Sequence, residues 1–584
     1  MPRLSNARSI LSLALLSIAT AVASSPLCAA SGPMRPDAPP AKQEGRYGDI
    51  VVRNSRVIKY KSDFSSATIS GPDTVIDVPD KANKSNARIH ADSIVMRQEG
   101  GQTAGLVDLS GNVTVHAVQR VDKGAERIID ATAGHGLYQR KEHRLTLDTG
   151  VQITIRDDAR LDGPGKLSGD TVVVEMRKDA NRYLVSGVPA HTRVDAPMRE
   201  LSAAAEGPKS APRPPAHAPV RTYRLQAYRF DEAELQVGRL ARATGASSVF
   251  VVEDALDQSR AEIHSREVSA AYTEDGDAIS QIHASSGARW LFTRPTPNAR
   301  WTQMLSGRSG QVSYDPRTGG CLMAGGVQAV LTDPADLLKP ATISADRMLA
   351  IPSGPAKARV YSYELSGLAA RARIRFTPIP QPKPAAPAAK QAAAPAGEAG
   401  QSAPSAVGDV ELAQFDSAVY VPSRRFDAHG PQLYVTTMDD ESGVRTRFDS
   451  PTVTGSWAQN NLSTIEAVGG VRYSAVRPVD DPAGGRAQES LTGTAASANY
   501  TAGDGHRAMA LHGSFDAELA DPIDLEGPGR IRGDAGDTVR VDLSTTPYEF
   551  ELDSPKQTAT IDFQPRQKTA ENAAHPSAGR SGKH

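Results

Sequence analysis

The sequence predicts an all-β protein, and three observations carry that prediction. Apolar and polar residues alternate in short runs such as GNVTVHA (111–117), which places Val113 and Val115 on one face and Thr114 on the other, as in a half-buried antiparallel strand. The 49 glycines and 41 prolines favour turns over long helices. Beyond residue 30, no segment keeps the apolar stripe of an amphipathic helix.

The N-terminal residues 1–30 have the three-part form of a secretory signal. Arg3 and Arg8 precede an apolar run from Ile10 to Ala23, and small residues follow it. The run is shorter than the roughly 20 residues that span a bilayer. We therefore expect export to the periplasm with cleavage of the signal, and an uncleaved inner-membrane anchor is the alternative.

Proline- and alanine-rich stretches divide the rest of the chain. They fix or extend the backbone and carry few apolar residues, so they are typical of linkers. The predicted linkers are 203–219 and 378–406, with a disordered tail at 566–584. The segments between them, 46–197, 221–377 and 409–565, predict three core-forming units, in keeping with a 584-residue chain.

The three segments also share an internal repeat. The phrase LDGPGKLSGD (161–170) recurs as LEGPGRIRGD (525–534), and YLVSGV (183–188) is matched by YELSGL (363–368). Glycines recur at intervals of about 40 residues, at Gly111, Gly150 and Gly187 in the first segment, Gly287, Gly326 and Gly367 in the second, and Gly470 and Gly513 in the third. We interpret Gly163–Gly165 as a chain reversal and Gly169–Asp170 as the start of the next strand.

Charge and motifs exclude several classes of function. The 66 basic and 67 acidic residues give a net charge of -1, so no net field attracts nucleic acid. The 13 histidines and two cysteines form no zinc, calcium or phosphate-loop motif. Asp170 and Asp537 follow glycine-rich turns and are interpreted as turn caps. We expect no catalytic residue, metal site or cofactor, and so no enzyme.

Three stretches of the first segment resemble a known family. They are ADSIVMRQEGGQTAGLVDLSGNVTV (91–115), IDATAGHGLYQRKEHRLTLDTGVQITI (129–155) and LDGPGKLSGDTVVVEMRKDANRYLVSGV (161–188). The stretches begin with Ala-Asp, continue with a Gly-Asn-Val strand and then have a tyrosine before a basic hairpin. This order is similar to that of the periplasmic lipopolysaccharide-transport proteins of the LptA/OstA-like family. The resemblance is weaker over 490–560 and weakest over 221–377.

The resemblance implies an antiparallel β-jellyroll with an apolar trough for the acyl chains of lipopolysaccharide. It also implies a Gram-negative periplasmic location and edge-strand contacts with other jellyroll proteins of the export machinery. The chain departs from the family in having three units where the bridge protein has one. It could correspond to the bridge, to an LptC-like member that keeps its anchor, or to a lineage-specific variant.

Strand alternation selects the residues that would line such a trough in the first unit. They are Val113, Val115, Leu145, Leu147, Val151, Ile153, Val172 and Val174. The same pattern is compatible with a closed core, since alternation does not show whether two sheets meet or gape. The leading functional hypothesis is therefore non-enzymatic lipid binding. The alternatives are a structural or adaptor protein that works by edge pairing and a hydrolase of envelope glycans.

Overall fold

The computed structural model describes residues 43–566 apart from 64, 100–101, 121–125, 179, 200–220, 275, 277, 296–301, 355–358, 380–407, 423, 440–441, 459–460, 481–484 and 504–505. The described residues form antiparallel strands and a single 3-10 turn, Ala369–Arg371, which confirms the all-β class. None of their helices is long and apolar enough to cross a bilayer. The predicted signal, the linker 203–219 and most of 378–406 and 566–584 lie outside the described residues.

Thirteen of the described strands precede the linker 203–219. They are β1 (Gln43–Tyr47), β2 (Ile50–Ser55), β3 (Val57–Tyr60), β4 (Ser66–Ser70), β5 (Val75–Asp80), β6 (Ser85–His90), β7 (Ser93–Glu99), β8 (Gln102–Arg120), β9 (Glu126–Gln139), β10 (Arg144–Arg156), β11 (Gly165–Glu175), β12 (Arg182–Ser186) and β13 (Arg193–Arg199).

The strands of the second segment run from β14 to β27. They are β14 (Thr222–Tyr228), β15 (Glu232–Gln236), β16 (Leu240–Thr244), β17 (Val249–Asp254), β18 (Arg260–His264), β19 (Glu267–Tyr272), β20 (Ile279–Ser285), β21 (Ala288–Pro295), β22 (Thr302–Ser309), β23 (Gln311–Tyr314), β24 (Cys321–Thr332), β25 (Leu337–Ser353), β26 (Val360–Ser366) and β27 (Arg373–Pro378).

The third segment contains the remaining strands. They are β28 (Val410–Ala413), β29 (Ser417–Val421), β30 (Arg425–His429), β31 (Tyr434–Met438), β32 (Arg445–Asp449), β33 (Thr452–Ala458), β34 (Asn461–Asp480), β35 (Arg486–Gly503), β36 (His506–His512), β37 (Phe515–Ala520), β38 (Gly529–Gly533), β39 (Thr538–Asp542), β40 (Glu549–Asp553) and β41 (Thr560–Asp562).

The pairings follow two ladders that run side by side along the described chain. The first ladder has the order β1, β2, β5, β6, β8, β9, β10, β11, β13, β14, β17, β18, β21, β22, β24, β25, β27, β28, β31, β32, β34, β35, β37, β38 and β41. The second has the order β3, β4, β7, β8, β9, β10, β11, β12, β15, β16, β19, β20, β23, β24, β25, β26, β29, β30, β33, β34, β35, β36, β39 and β40. Eight of these strands take part in both ladders, and each contributes one half of its length to each ladder. They are β8, β9, β10, β11, β24, β25, β34 and β35.

Four of the repeated glycines, Gly111, Gly150, Gly326 and Gly470, mark bends at which these long strands pass from one ladder to the other. In β10, Thr149 and Gly150 have φ values of 69° and 71°, and the register with β11 shifts there. In β24, Gly325 and Gly326 have φ values of 83° and 79°, with a matching shift. Two consecutive left-handed residues are strained for side chains with a Cβ, which explains the recurrence of glycine.

One detail of the sequence interpretation was wrong. Gly169 and Asp170 do not start a strand, because β11 already begins at Gly165 and runs through them. The residues before Gly169 pair with β13 in the first ladder, and those after Asp170 pair with β12 in the second. This glycine therefore lies at a crossing between ladders, inside a strand.

The two ladders face each other across an apolar interior. Their aromatic side chains meet there, with ring centroids 5.3 Å apart for Phe292 of β21 and Tyr314 of β23, and 5.0 Å apart for Phe376 of β27 and Tyr420 of β29. The buried apolar side chains form one continuous cluster that includes residues of all three segments. Each ladder thus contributes one wall of a single long core.

Strand pairing continues across both predicted linkers. On either side of 203–219, β13 pairs with β14, so that Arg199 lies opposite Thr222. On either side of 378–406, β27 pairs with β28, so that Phe376 lies opposite Val410. The second ladder crosses the same places through β12–β15 and β26–β29. The division into three repeated units stays a prediction, but the described strands form one uninterrupted structure.

Candidate ligand-binding interior

The structure brings the eight residues predicted from alternation together between the ladders. Val113, Val115, Val151 and Ile153 lie on the first ladder, whereas Leu145, Leu147, Val172 and Val174 lie on the second, and each is at most 7% exposed. Leu145 lies directly opposite Val174, and Leu147 lies opposite Val172. We name these eight side chains the first-segment interior.

The first-segment interior is closely packed. A Cβ atom added to Gly136 of β9 would lie 3.0 Å from Leu147 and 3.1 Å from Leu109, closer than ordinary van der Waals contact. Such packing is that of a closed protein core. Alternation selects the face of a strand that is buried, whereas the distance between the ladders depends on side chains far apart in sequence.

Polar side chains link the two ladders at the strand ends farthest from the bends, which we name the free margin. In the first segment, Arg127 donates to Asp158 over 2.7 Å, and both side chains are 4% exposed. Gln119 accepts from Arg127 and from Asn181, and it donates to the carbonyl of Arg177 beyond β11. This buried network joins the first ladder to the second.

The third segment has comparable links at its free margin. Arg477 pairs with Glu489, at 5% and 2% exposure, and donates to the carbonyl of Thr545 on the second ladder. The Arg477 guanidinium also lies 4.0 Å from the ring centroid of Tyr548. Burial raises the pKa of the Glu489 carboxyl above its ordinary range, against the nearby hydrogen bonds that stabilise its charge.

The middle of the chain contains a cavity of about 40 Å³ between the ladders. We name it the middle cavity. Its apolar lining comes from Phe292 and Leu305 on the first ladder and from Tyr314, Cys321, Ala350, Tyr361 and Tyr363 on the second. Burial raises the pKa of the Cys321 thiol, so this cysteine stays protonated and unreactive.

Polar groups stand at the mouth of the middle cavity. Arg294 donates to Gln303 over 2.9 Å and to the carbonyl of Arg359, and its guanidinium lies 4.5 Å from the ring centroid of Tyr361. Gln303 in turn donates to Asp333 over 2.6 Å. Burial raises the pKa of the Asp333 carboxyl. Within the described residues, Arg294 forms no ion pair.

A row of aromatic rings extends from the middle cavity into the third segment. Ring centroids are 6.4 Å apart for Tyr361 and Tyr363, 6.3 Å for Tyr363 and Tyr420, 5.0 Å for Tyr420 and Phe376, and 5.5 Å for Phe376 and Trp457. The Tyr420 hydroxyl and the Trp457 Nε1 are buried without a hydrogen-bond partner in the described part of the chain, which is costly unless water or a ligand supplies one.

Sequence reasoning missed the middle cavity. A usable signal was present, because aromatic residues are only 5% of the chain, yet Trp290, Phe292 and Tyr314 lie within 25 residues of one another, flanking β22. Rings concentrated on inward-facing strand positions indicate a different kind of interior from one made of valine and isoleucine.

Asp537 caps its own turn as interpreted, whereas Asp170 lies within β11 and caps the turn that follows β12. The Asp170 carboxylate accepts the Val188 N–H over 2.6 Å and bonds His191 Nδ1 over 2.8 Å. The Asp537 carboxylate accepts the Asp534 N–H over 2.8 Å and the Ser554 hydroxyl over 2.8 Å. These bonds hold the pKa of each carboxyl below its ordinary value.

The described residues contain no group of three histidine, cysteine or acidic side chains close enough to hold a metal ion. The described part of the chain has an apolar interior with polar links along one margin. Comparison of the chain with protein-family models and with curated proteins found no match.

Proposed function

We propose that this chain is a non-enzymatic lipopolysaccharide-binding protein of the Gram-negative periplasm, a β-jellyroll that carries acyl chains between its two ladders during outer-membrane assembly. The observation that supports the proposal is the single apolar interior enclosed by two ladders across all three segments. The resemblance of 91–188 to the LptA/OstA-like family gives the substrate class.

The interior has the length and chemistry that a lipid passenger requires. Each ladder stacks about two dozen strand segments at a spacing of about 4.8 Å, which corresponds to about 110 Å along the stack. An acyl chain placed between the ladders gains about 0.8 kcal/mol for each methylene removed from water. A long, narrow apolar interior suits a linear passenger better than a compact ligand.

Loading of lipid requires the ladders to separate at the free margin. The bends join the ladders on the opposite side, where long strands such as β10 belong to both. The free margin is held instead by side chains, including the hydrogen bonds from Asn181 to Gln119 and from Arg477 to the Thr545 carbonyl. Side-chain contacts can break without loss of the backbone ladders, so opening along this margin preserves the fold.

Photo-crosslinking tests the proposal directly. A small diazirine amino acid is introduced at Val113 or Ile153, which face the interior, and at Thr114, which is exposed on the opposite face of β8. We expect crosslinks to lipopolysaccharide from the first two positions and none from Thr114. Crosslinking confined to Thr114 would contradict the proposal.

A charge placed in the interior gives a second test. Ile153→Lys puts an ammonium group between the ladders, whereas Gln152→Lys puts it on the exposed face of the same strand. We expect Ile153→Lys to abolish lipopolysaccharide capture and Gln152→Lys to leave it unchanged, with circular dichroism confirming that both proteins keep their strands. Capture that survives Ile153→Lys would favour the alternative function described next.

The alternative function, an adaptor that joins envelope proteins by edge pairing, is favoured by the two ends of the ladders. Among the described strands, β3 pairs only with β4 and β41 only with β38. Val57 and Tyr60 of β3 are 39% and 42% exposed, and Ile561 of β41 is 55% exposed. Unpaired edges with exposed apolar residues favour strand addition.

Proline substitution separates the two functions. Ile561→Pro removes a backbone donor from the edge strand β41, far along the ladder from Ile153. If the chain is an adaptor, this change abolishes self-association or partner capture measured by light scattering. If the chain carries lipid, capture of lipopolysaccharide by the monomer persists.

A further inference from the structure

The middle cavity differs from the rest of the interior in its charge as well as its shape. Five buried or half-buried arginines near the free margin each pair with a carboxylate, and the pairs are Arg127–Asp158, Arg221–Asp254, Arg359–Asp257, Arg477–Glu489 and Arg507–Asp439. Arg294 is half-buried at the cavity mouth and forms no ion pair within the described residues.

The surroundings of Arg294 position its charge without neutralising it. Its contacts are the amide oxygen of Gln303, the carbonyl of Arg359 and the face of the Tyr361 ring. Asp333 acts on Arg294 through space, and its carboxylate accepts the Gln303 amide over 2.6 Å. A guanidinium held by neutral acceptors over an aromatic ring is available to an incoming anion.

We propose that the middle cavity binds a single long-chain fatty acid, with its carboxylate on Arg294 and its hydrocarbon chain among the aromatic rings. The site goes beyond lipopolysaccharide transport, because it recognises one carboxylate and one chain. It also does not depend on that function, since either ligand can bind without the other.

Charge and shape both select a carboxylate. Arginine presents a planar fork that binds a carboxylate through two parallel hydrogen bonds, and one guanidinium balances one such head group. The row Tyr361, Tyr363, Tyr420 and Phe376 leads away from the mouth and along the interior. A chain that follows this row exchanges water for ring faces at every methylene.

The cavity must enlarge to take the chain. Its present volume of about 40 Å³ has room for water but not for a long hydrocarbon chain. Binding therefore requires the ladders to part locally at the free margin. Arg294 contacts the Arg359 carbonyl and the Tyr361 ring on the second ladder, so a carboxylate that draws Arg294 away from them also loosens this closure.

The test measures binding of palmitate to the delipidated full chain by displacement of a fluorescent fatty acid. We expect Arg294→Gln to weaken palmitate binding at least tenfold and Arg294→Lys to weaken it less. The matched control is Arg242→Gln. Arg242 does not line the cavity and pairs with Glu267 over 2.6 Å, so its removal leaves palmitate affinity unchanged.

Two further comparisons define the outcome. Hexadecanol, which has the chain but no charge, should bind the original chain and Arg294→Gln equally. Ala350→Leu fills the cavity and should abolish binding of palmitate and hexadecanol. Equal palmitate affinity for the original chain and Arg294→Gln, or palmitate binding that survives Ala350→Leu, would overturn the proposal.

The lipopolysaccharide crosslink at Val113 is recorded on the same samples. Retained palmitate binding with no crosslink contradicts lipopolysaccharide transport and leaves the fatty-acid site standing. Retained crosslinking without any palmitate binding contradicts the fatty-acid site alone.

Discussion

The first-segment interior and the middle cavity are two solutions to packing between the same pair of ladders. Around Val113, Leu147 and Ile153 the side chains are aliphatic and almost completely buried, and a buried network of Arg127, Gln119 and Asn181 joins the ladders at the margin beside them. Around Tyr361 the side chains are aromatic, a cavity remains, and the margin arginine contacts neutral groups. The comparison shows that one backbone architecture can hold a closely packed section and a section that keeps a cavity.

The cause of the difference is the shape of the side chains. Branched aliphatic residues on neighbouring strands mesh closely, as Leu145 and Val174 do. Rings must meet at offset or tilted angles, as Phe292 and Tyr314 do at 37°, and flat groups at such angles leave gaps. The opening needed for a ligand therefore costs least where the rings are concentrated.

Removal of a margin arginine should destabilise the first segment much more than the region of the middle cavity. This is the largest difference in stability that we expect between the two regions. Arg127→Ala leaves the Asp158 carboxylate buried without its partner, which costs about 3–5 kcal/mol. Arg294→Ala removes a half-buried group that has no ion pair among the described residues, and we expect a cost of about 1 kcal/mol or less. The measurement is the free energy of local opening by hydrogen–deuterium exchange, over β8–β12 and β21–β26 respectively.

Local measurement is required because a long ladder can open in parts. Arg120→Ala is the surface control for Arg127→Ala, since the Arg120–Glu126 pair is exposed and lies at the same hairpin. Equal losses for Arg127→Ala and Arg294→Ala would show that the two margins are equally closed.

A larger side chain placed in the interior should also destabilise the first segment more than the region of the middle cavity, but the difference in stability should be smaller. Ala131 of β9 lies between Val115 and Ile153 and is 4% exposed, so Ala131→Leu forces side chains apart and costs about 1–3 kcal/mol. Ala350 of β25 lies between Cys321 and Tyr363 beside the cavity. Ala350→Leu should therefore cost less than about 1 kcal/mol. Hydrogen–deuterium exchange over β8–β12 and β21–β26 ranks the two losses, and a reversed ranking would contradict the packing contrast.

The sequence allowed prediction of the fold class and of the inward-facing residues, because both follow from local periodicity. The pattern of Val113 and Val115 around Thr114 determines which face of β8 is buried whatever the partner strand is. The middle cavity was not predictable in this way, since Phe292 and Tyr361 are brought together only by pairing across distant strands. The bend at Gly169 was misread for the same reason: a crossing between ladders looks locally like a strand start.

Substitutions at the bends should cost the same free energy in both regions. The difference in stability between the regions would then come from the interior alone. Gly150 and Gly326 both have positive φ, and a Cβ on either would meet no atom within 4 Å. Alanine at each therefore costs about 1–2 kcal/mol from backbone strain alone. Gly503→Ala is the control, because that position is equally open but has no positive φ. Exchange rates in β10 and β24 should rise together, and a large difference between them would show that the bends are not equivalent.

The smallest expected effect is a pH dependence confined to the outer face of the first segment. His135 bonds Asp148 over 3.0 Å and Asp108 over 2.9 Å, which raises the pKa of its imidazole above the ordinary value. The stabilisation is complete below the unfolded pKa of about 6.5 and is lost as pH rises through the higher folded pKa. Because the groups are partly exposed, the loss should stay below about 1 kcal/mol.

The measurement is an NMR titration of selectively labelled histidine. The His135 resonance is assigned by its absence from the spectrum of His135→Gln, and we expect its pKa to be raised. Asp148→Asn should lower that pKa. Palmitate binding at the middle cavity should not change over this pH window, because the described contacts of His135 are with Asp108 and Asp148 on the outer face. A change in palmitate affinity that follows the His135 titration would show that the outer face and the cavity are coupled.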